Sequence, residues 1–209
     1  MKKRFVLILS ALMIVLAALC LLRLSSFKEN EQDAIASLQA NQSTYSIKFF
    51  QIISDYGKII NLGIPALFLL IGLAQKKKDF VRNGLMILLA MALAGVISQT
   101  IKRTVKEPRP YEVDTRITQW SVGGSNSFPS GHTAEVTVAT LGFSLILFRS
   151  SVIMILSIIW ALMMMLSRIV LGVHNFTDIA GGIVVGCIGL LVMQRLYEQF
   201  AKTKDLQQS

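Results

Sequence analysis

Apolar residues run through this chain in six long blocks, at roughly 5–22, 52–74, 84–101, 134–148, 152–166 and 179–194, with short polar segments between them. Within each block the apolar positions are nearly continuous and lack the one-sided spacing of an amphipathic surface helix. The first and third blocks are about 18 residues long, enough at 1.5 Å per residue to cross a bilayer core of roughly 30 Å. The shorter blocks complete a span by borrowing polar flanking residues. The pattern predicts an all-α, polytopic membrane helix bundle of about six transmembrane helices, forming one domain over residues 1–209.

Two segments bear on this picture. Met1-Lys2-Lys3-Arg4 ahead of the first block also fits a secretory signal, but the run is long for a signal core and no small-x-small cleavage site follows it. A retained first helix is therefore expected. Residues 24–45 are polar and mixed in charge, with Phe27, Ile35 and Leu38 at loose helical spacing. They read equally as a short helix on the outer surface or as an ordinary loop.

Composition supports the membrane assignment. Of 209 residues, 53% are hydrophobic and only 16% charged, far less charge than a soluble domain of this length carries. Cys20 and Cys187 both fall inside predicted spans, where they read as apolar residues and not as a disulfide or a metal pair. Two histidines and two cysteines without ligand spacing argue against a structural zinc site.

The net charge of +9 says less than its distribution. Lys2, Lys3 and Arg4, then Lys76, Lys77, Lys78 and Arg82, then Arg149, then Arg195, Lys202 and Lys204 all fall on one side if six spans alternate. The positive-inside rule makes that side the cytoplasm, with both termini there. Three segments, about 23–51, 102–133 and 167–178, lie opposite. Two of these are unexpectedly basic, through Lys102, Arg103, Lys106, Arg109, Arg116 and Arg168. Cations that defy the topology rule suggest an anionic ligand at the outer face.

Nearly every chemically unusual residue falls in three outer clusters. The first runs from Lys102 to Pro110. Pro108 and Pro110 disfavour helix for the residues before them, so the chain turns near Glu107 and Arg109 can come back toward Lys102. Two converging cations suit a phosphate, and taken alone they suit lipid headgroups equally well. The second cluster is Ser127 to Thr133, just before the fourth block. Ser130 is a plausible N-cap, Gly131 allows close backbone approach, and the helix start presents free N–H groups to an anion beside His132. The third runs from Ser167 to Asp178. If that stretch is helical, Asp178 meets His174 one turn away and fixes its tautomer, leaving the other ring nitrogen as a nucleophile. Arg168 adds a third cation. Alone, this cluster also reads as a surface histidine beside an acid.

In combination the three clusters resemble the signature of the type 2 phosphatidic acid phosphatase superfamily of membrane lipid phosphatases. Lys102, Arg109 and Pro110 match Lys-x6-Arg-Pro. Pro129, Ser130, Gly131 and His132 match Pro-Ser-Gly-His. Ser167, Arg168, His174 and Asp178 match Ser-Arg-x5-His-x3-Asp. The resemblance covers about residues 80–195. It implies a metal-independent phosphatase without cofactor, acting on a lipid phosphomonoester or pyrophosphate through a phosphohistidine. His174 is then the nucleophile, Asp178 its orienting partner and His132 the general acid and base. Lys102, Arg109, Ser130, Gly131 and Arg168 are then the phosphate ligands.

The run Lys106-Glu107-Pro108-Arg109-Pro110 looks like the phosphatidylglycerophosphatase B branch, whose members also act on undecaprenyl pyrophosphate. Phosphatidic acid and the phosphates of lipid A fit as well, and a non-catalytic protein binding lipid phosphate is the alternative of another class. The implied setting is a bacterial inner membrane, with the lipid bilayer as partner, no nucleic acid, and the site at the periplasmic face. Residues 111–126, with Tyr111, Arg116 and Trp120, are expected to touch the headgroup, and a bell-shaped pH profile is expected from the two histidines.

Overall fold

The computed structural model describes residues 2–22 and 27–208, with side chains for 3–22 and 28–200. Eight α-helices follow in order among these residues: α1 (Lys2–Leu22), α2 (Phe27–Ala40), α3 (Thr44–Ala74), α4 (Lys78–Val105), α5 (Pro110–Val113), α6 (Gly131–Gly142), α7 (Ser151–Val170) and α8 (Phe176–Gln208). Each apolar block of the sequence has become a helix, because a backbone in hydrocarbon must bond to itself. Five of these helices are long and apolar enough to cross a membrane: α1, α3, α4, α7 and α8. The chain is a multi-pass membrane protein.

The fourth block behaves differently. Its α-helix ends at Gly142 and continues as a π-helix over Phe143–Leu147. There the Phe148 N–H reaches back to the Phe143 carbonyl at 3.0 Å, one residue further than an α-helix would. The α and π segments together run from 131 to 147, about 25 Å at the α-helical rise, slightly short of a bilayer core.

The bundle is organised around α8. Of its apolar window 61% is buried, against 6% for α1, which lies at the periphery. The largest core cluster joins Ile87, Ala90 and Ala94 of α4, Val138 and Phe143 from the α6 segment, and Val185 and Ile188 of α8. Many large apolar side chains stay outside this core, including Leu67 and Leu70 of α3 and Ile155 and Leu162 of α7. On a soluble protein they would form an aggregating patch, whereas here they meet acyl chains.

Because lipid is as apolar as leucine, close backbone packing must hold the helices together. Glycines on α8 supply that closeness. A Cβ on Gly182 would come within 2.6 Å of the Ser130 carbonyl, and one on Gly186 within 2.6 Å of the Ala134 carbonyl. The backbones of α6 and α8, which carry the second and third sequence clusters, are thereby pressed together.

α2 is a helix, and it does more than lie on a surface. Its inward face carries Glu31, Gln32, Ile35 and Gln39, all buried at 7% exposure or less. It covers the same end of the bundle as the C-terminus of α4, the starts of α6 and α8, and the end of α7. Phe27, expected on the apolar face of this segment, has a side chain outside the described residues.

Candidate active site

The three clusters meet at that end of the bundle. A cavity of about 390 Å³ is lined by Lys102 and Arg109, by Gly131 and His132, and by Arg168 and His174. Lys58 of α3, Gln99 of α4, Glu135 of α6 and the loop Val122 to Ser125 complete its wall. A larger groove of about 890 Å³ lies at the opposite end, among Lys76, Lys78, Arg82 and Tyr197, and contains no histidine.

His174 is placed by the end of α7. The N–H groups of Leu171 and Gly172 bond to Ser167 and Ile169, and those of Val173 and His174 bond to the Arg168 carbonyl. Gly172 has φ +74°, the left-handed conformation that ends a helix at the lowest steric cost. A Cβ there would also collide with the Thr118 carbonyl and come within 2.8 Å of Gln39 Nε2. The chain reverses at this glycine and delivers His174 to the cavity before α8 begins at Phe176.

The His174 and Asp178 side chains do meet, with Nδ1 to Oδ2 at 3.3 Å. They meet without one helix running through both, since His174 lies in the turn and only Asp178 is helical. Asp178 Oδ2 also accepts from the Asn175 N–H at 2.7 Å and from the Ser127 hydroxyl. Ser127 Oγ lies 3.4 Å from His174 Nδ1 as well. The carboxylate is thus fixed from two sides and faces Nδ1, leaving Nε2 for the cavity. Burial pushes the His174 pKa down to about 4, while its hydrogen bond to Asp178 and that carboxylate's charge pull it up; Arg168 and Arg109 add to the lowering.

Backbone carbonyls and hydroxyls orient the three cations. Lys102 Nζ donates to the carbonyls of Asn126 and Ser127 at 2.6 and 2.9 Å. Arg109 donates from Nε to Ser125 and from Nη1 to Val173, at 2.9 and 2.6 Å. Arg168 Nη1 donates to the Ser54 and Ser121 hydroxyls, and its buried Nε has no hydrogen-bond acceptor. Among the described residues neither arginine is paired with a carboxylate, so their charge remains available to an anion.

The turn after α4 begins at Lys106 (φ 51°), one residue before the expected Glu107. Arg109 then opens α5, with its N–H bonded to Glu112 at 2.7 Å. The other outer cations do not line the cavity: Arg103 and Lys106 are exposed, and Arg116 pairs with Asp33 and Asp114.

Ser130 caps α6, its hydroxyl accepting from the Thr133 N–H at 3.4 Å, and it is fully buried off the cavity wall. Its backbone N–H is engaged by the Asp178 carbonyl, which leaves Gly131 as the part of this motif, with His132, that faces the cavity. The expected headgroup segment 111–126 does border the cavity, though not through Tyr111, Arg116 or Trp120. Tyr111 and Trp120 pack against Val170, Leu171 and Val173, and it is Val122 to Ser125 that line the cavity.

Several residues escaped the sequence reading. Ser127 belongs to a recognised cluster but was given no role. α2 supplies clamps to the first and third clusters and to the loop at Thr118. Lys28 pairs with Glu107 at 2.7 Å. Glu31 accepts from the Thr177 N–H and hydroxyl at 2.6 and 3.0 Å. Gln39 donates to the Thr118 and Val170 carbonyls at 2.9 Å each. The only sequence signal was an unusual polar helix beside a membrane span. Cys20 and Cys187 are both half-buried. Among the described residues no group of three or more His, Cys, Asp and Glu is set to hold a metal ion.

Comparison with known proteins agrees with this geometry. YbjG of Escherichia coli (strain K12), named provisionally as an undecaprenyl-diphosphatase, is 29% identical over 114 residues. That match covers 54% of this chain and 56% of the relative, so it spans about half of the relative's length. The crystal structure of a transmembrane PAP2 type phosphatidylglycerolphosphate phosphatase from Bacillus subtilis superposes with a TM-score of 0.75 at 19% identity, covering 91% of this chain and 96% of that one. LpxE of Aquifex aeolicus superposes with a TM-score of 0.63 at 21% identity, over 78% and 93% of the two chains. At such identities these two structures establish the shared fold. The sequence profile of the PAP2 superfamily matches residues 83–202, which hold all three clusters in order, and the chain belongs to that superfamily.

Proposed function

We propose that this protein hydrolyses a phosphomonoester or pyrophosphate of a membrane lipid through a phosphohistidine intermediate. The observation that carries the proposal is His174, 2% exposed and backed by Asp178, opening onto a cavity walled by Lys102, Arg109, Arg168 and His132. His174 Nε2 attacks phosphorus, and the bond from phosphorus to the lipid oxygen breaks. Burial, with the nearby cations, pushes the His132 pKa down to about 3. The phosphate's negative charge raises it again, so that His132 gives the lipid oxygen its proton. The lipid alcohol, or the lipid monophosphate from a pyrophosphate, then departs. A water then attacks the phosphohistidine, His132 takes the water's proton, and the N–P bond breaks to release inorganic phosphate. Lys102, Arg109, Arg168 and the Gly131 backbone stabilise the charge that grows on the phosphoryl oxygens. Ser130 acts behind them by fixing the start of α6.

The same reading assigns the protein to a bacterial cytoplasmic membrane. Lys76, Lys77, Lys78 and Arg82 lie at the turn from α3 to α4, and Arg149 at the turn into α7, at the end away from the site. Positive-inside placement turns that end to the cytoplasm and the catalytic end to the outer face.

The test is phosphate release by purified protein in detergent with EDTA present. The substrates are phosphatidylglycerophosphate, phosphatidic acid, undecaprenyl pyrophosphate and a lipid A phosphate, with His174→Ala as control. Release that survives EDTA, disappears in the variant and leaves an acid-labile phosphoenzyme on rapid quenching is the expected result. Well-folded protein that binds these lipids and releases no phosphate would overturn the reading in favour of a binding protein.

A further inference from the structure

A carboxylate on the wall of a cavity built for an anion requires an account, and Glu135 is such a group. It lies on α6 three residues beyond His132, roughly one turn deeper into the bundle. It shares the cavity with Lys102, Arg109, Arg168 and His174. Its Oε1 is buried and accepts no hydrogen bond. Lys58 of α3 lines the same cavity and exerts its charge on this carboxylate.

A second cavity, of about 200 Å³, adjoins the first. Leu62 of α3 and Leu88, Met91 and Ala92 of α4 form its apolar wall, and it shares Gly95, Gly131 and Glu135 with the phosphate cavity. A Cβ placed on Gly95 or Gly131 would meet nothing within 4 Å, so both glycines border open space. Glu135 therefore stands at the junction between an apolar compartment and a cationic one. A lipid phosphate occupying both would place its phosphoryl group among the cations and its chain among Leu62, Leu88 and Met91. The carbons next to the scissile ester oxygen would then pass Glu135.

A carboxylate there accepts from hydroxyl groups and, in its ionised form, repels phosphoryl oxygens. We propose that Glu135 determines specificity by accepting a hydrogen bond from a hydroxyl on the alcohol side of the scissile P–O bond. It thereby favours lipid phosphates with a hydroxylated leaving group over those carrying a second phosphate at that place. The inference rests on the phosphatase reading above and adds a substrate class to it.

The test uses a matched pair of probes. One is lysophosphatidic acid, whose free hydroxyl lies one carbon from the phosphate-bearing carbon; the other is its 2-deoxy analogue, in which hydrogen replaces that hydroxyl. Undecaprenyl pyrophosphate is the third probe. kcat/KM is measured for each with wild type, Glu135→Gln, Glu135→Asp and Glu135→Ala. Wild type is expected to favour the hydroxylated probe by about tenfold or more, the scale of a hydrogen bond to a charged acceptor. Glu135→Ala brings the pair to within about twofold, with the other two variants between, and in Glu135→Gln the pyrophosphate gains relative to the deoxy probe. Because each ratio is taken within one preparation, partial loss of folding does not move it. An active wild type that does not discriminate between the pair, or a ratio that survives Glu135→Ala, overturns the inference and leaves the phosphatase reading intact. A greater loss on the pyrophosphate than on the deoxy probe also overturns it, by showing that Glu135 donates to phosphate. No release from any probe by wild type overturns both.

Discussion

Replacing Glu31 with alanine separates the work of α2 from that of the catalytic groups, because Glu31 touches neither His174 nor the cavity wall. The carboxylate is 5% exposed and receives the Thr177 N–H at 2.6 Å and the Thr177 hydroxyl at 3.0 Å. Thr177 belongs to the first turn of α8, immediately before Asp178. Hydrogen bonds to a charged group contribute about 1.5–3 kcal/mol each, and a buried N–H left without an acceptor costs about 1–3 kcal/mol. Release of a buried carboxylate returns part of this, since burying the ion carried a penalty of its own. The expected net loss is about 2–4 kcal/mol of stability. With Thr177 unclamped, the Asp178 carboxylate is drawn to the vacant N–H groups of its own helix and away from His174 Nδ1. That loosening lowers kcat about tenfold, with KM nearly unchanged. Glu31→Gln keeps an acceptor for the N–H and a donor for the hydroxyl, so it retains most of both quantities. The assay pairs thermal unfolding in detergent with steady-state phosphate release. Full kcat and unchanged stability in Glu31→Ala would refute the reasoning, and so would a glutamine variant as impaired as the alanine one.

Two further predictions follow from the same groups. Ser127→Ala removes the hydroxyl that bonds to Asp178 and lies 3.4 Å from His174 Nδ1. It should lower kcat by about 10- to 100-fold, the range of one hydrogen bond to a buried charge, and an unchanged kcat in steady-state assays would remove Ser127 from the site. The second concerns pH. His174 attacks only when neutral, and its pKa is pushed down to about 4, so the neutral form persists as pH falls through the ordinary histidine range and is lost only near 4. The acid limb of kcat/KM should therefore lie near pH 4, and a limb near 6.5 would show that the buried His174 does not control it.

What the sequence revealed and what it hid divide along a physical line. The spans were legible because a bilayer demands continuous apolar helix, and that demand is written residue by residue. The gathering of Lys102, Arg109 and Arg168 at one cavity was legible because cations in segments expected outside have few ordinary reasons to be there. α2 was not, because its buried face is polar and draws its stability from distant partners. Glu31 reaches Thr177 across 146 positions, and Gln39 reaches Val170 across 131. Hydropathy scores such residues as solvent-facing. The π-turn after Gly142 left no mark either, since a shift of one residue in bonding period does not alter an apolar block. Tyr111 and Trp120 misled for the opposite reason. Large side chains in an outer loop suggest contact with a ligand, yet both are consumed in packing. Gly123, with no side chain at all, comes close enough to Arg109 that a Cβ would lie 2.9 Å from its Nε.

The cations also answer a structural problem that their charge alone would not solve. Arg109 bonds Ser125 of the loop before α6 and Val173 of the turn before α8, so one guanidinium ties the loop leading into the second cluster to the third. Lys102 ties the end of α4 to Asn126 and Ser127, and the Asn126 side chain returns a bond to the Lys102 carbonyl at 2.8 Å. Carbonyl oxygens orient Arg109 without neutralising it, whereas a carboxylate partner would have met its charge in advance. Mutual repulsion among three cations in so small a volume opposes folding, and the bonds to loop carbonyls offset it. On the proposed function, an arriving phosphate dianion would relieve the repulsion and find its donors already aimed. Electrostatic stabilisation in such a site requires little rearrangement at the moment of reaction, and the cost of assembling it has been met by folding.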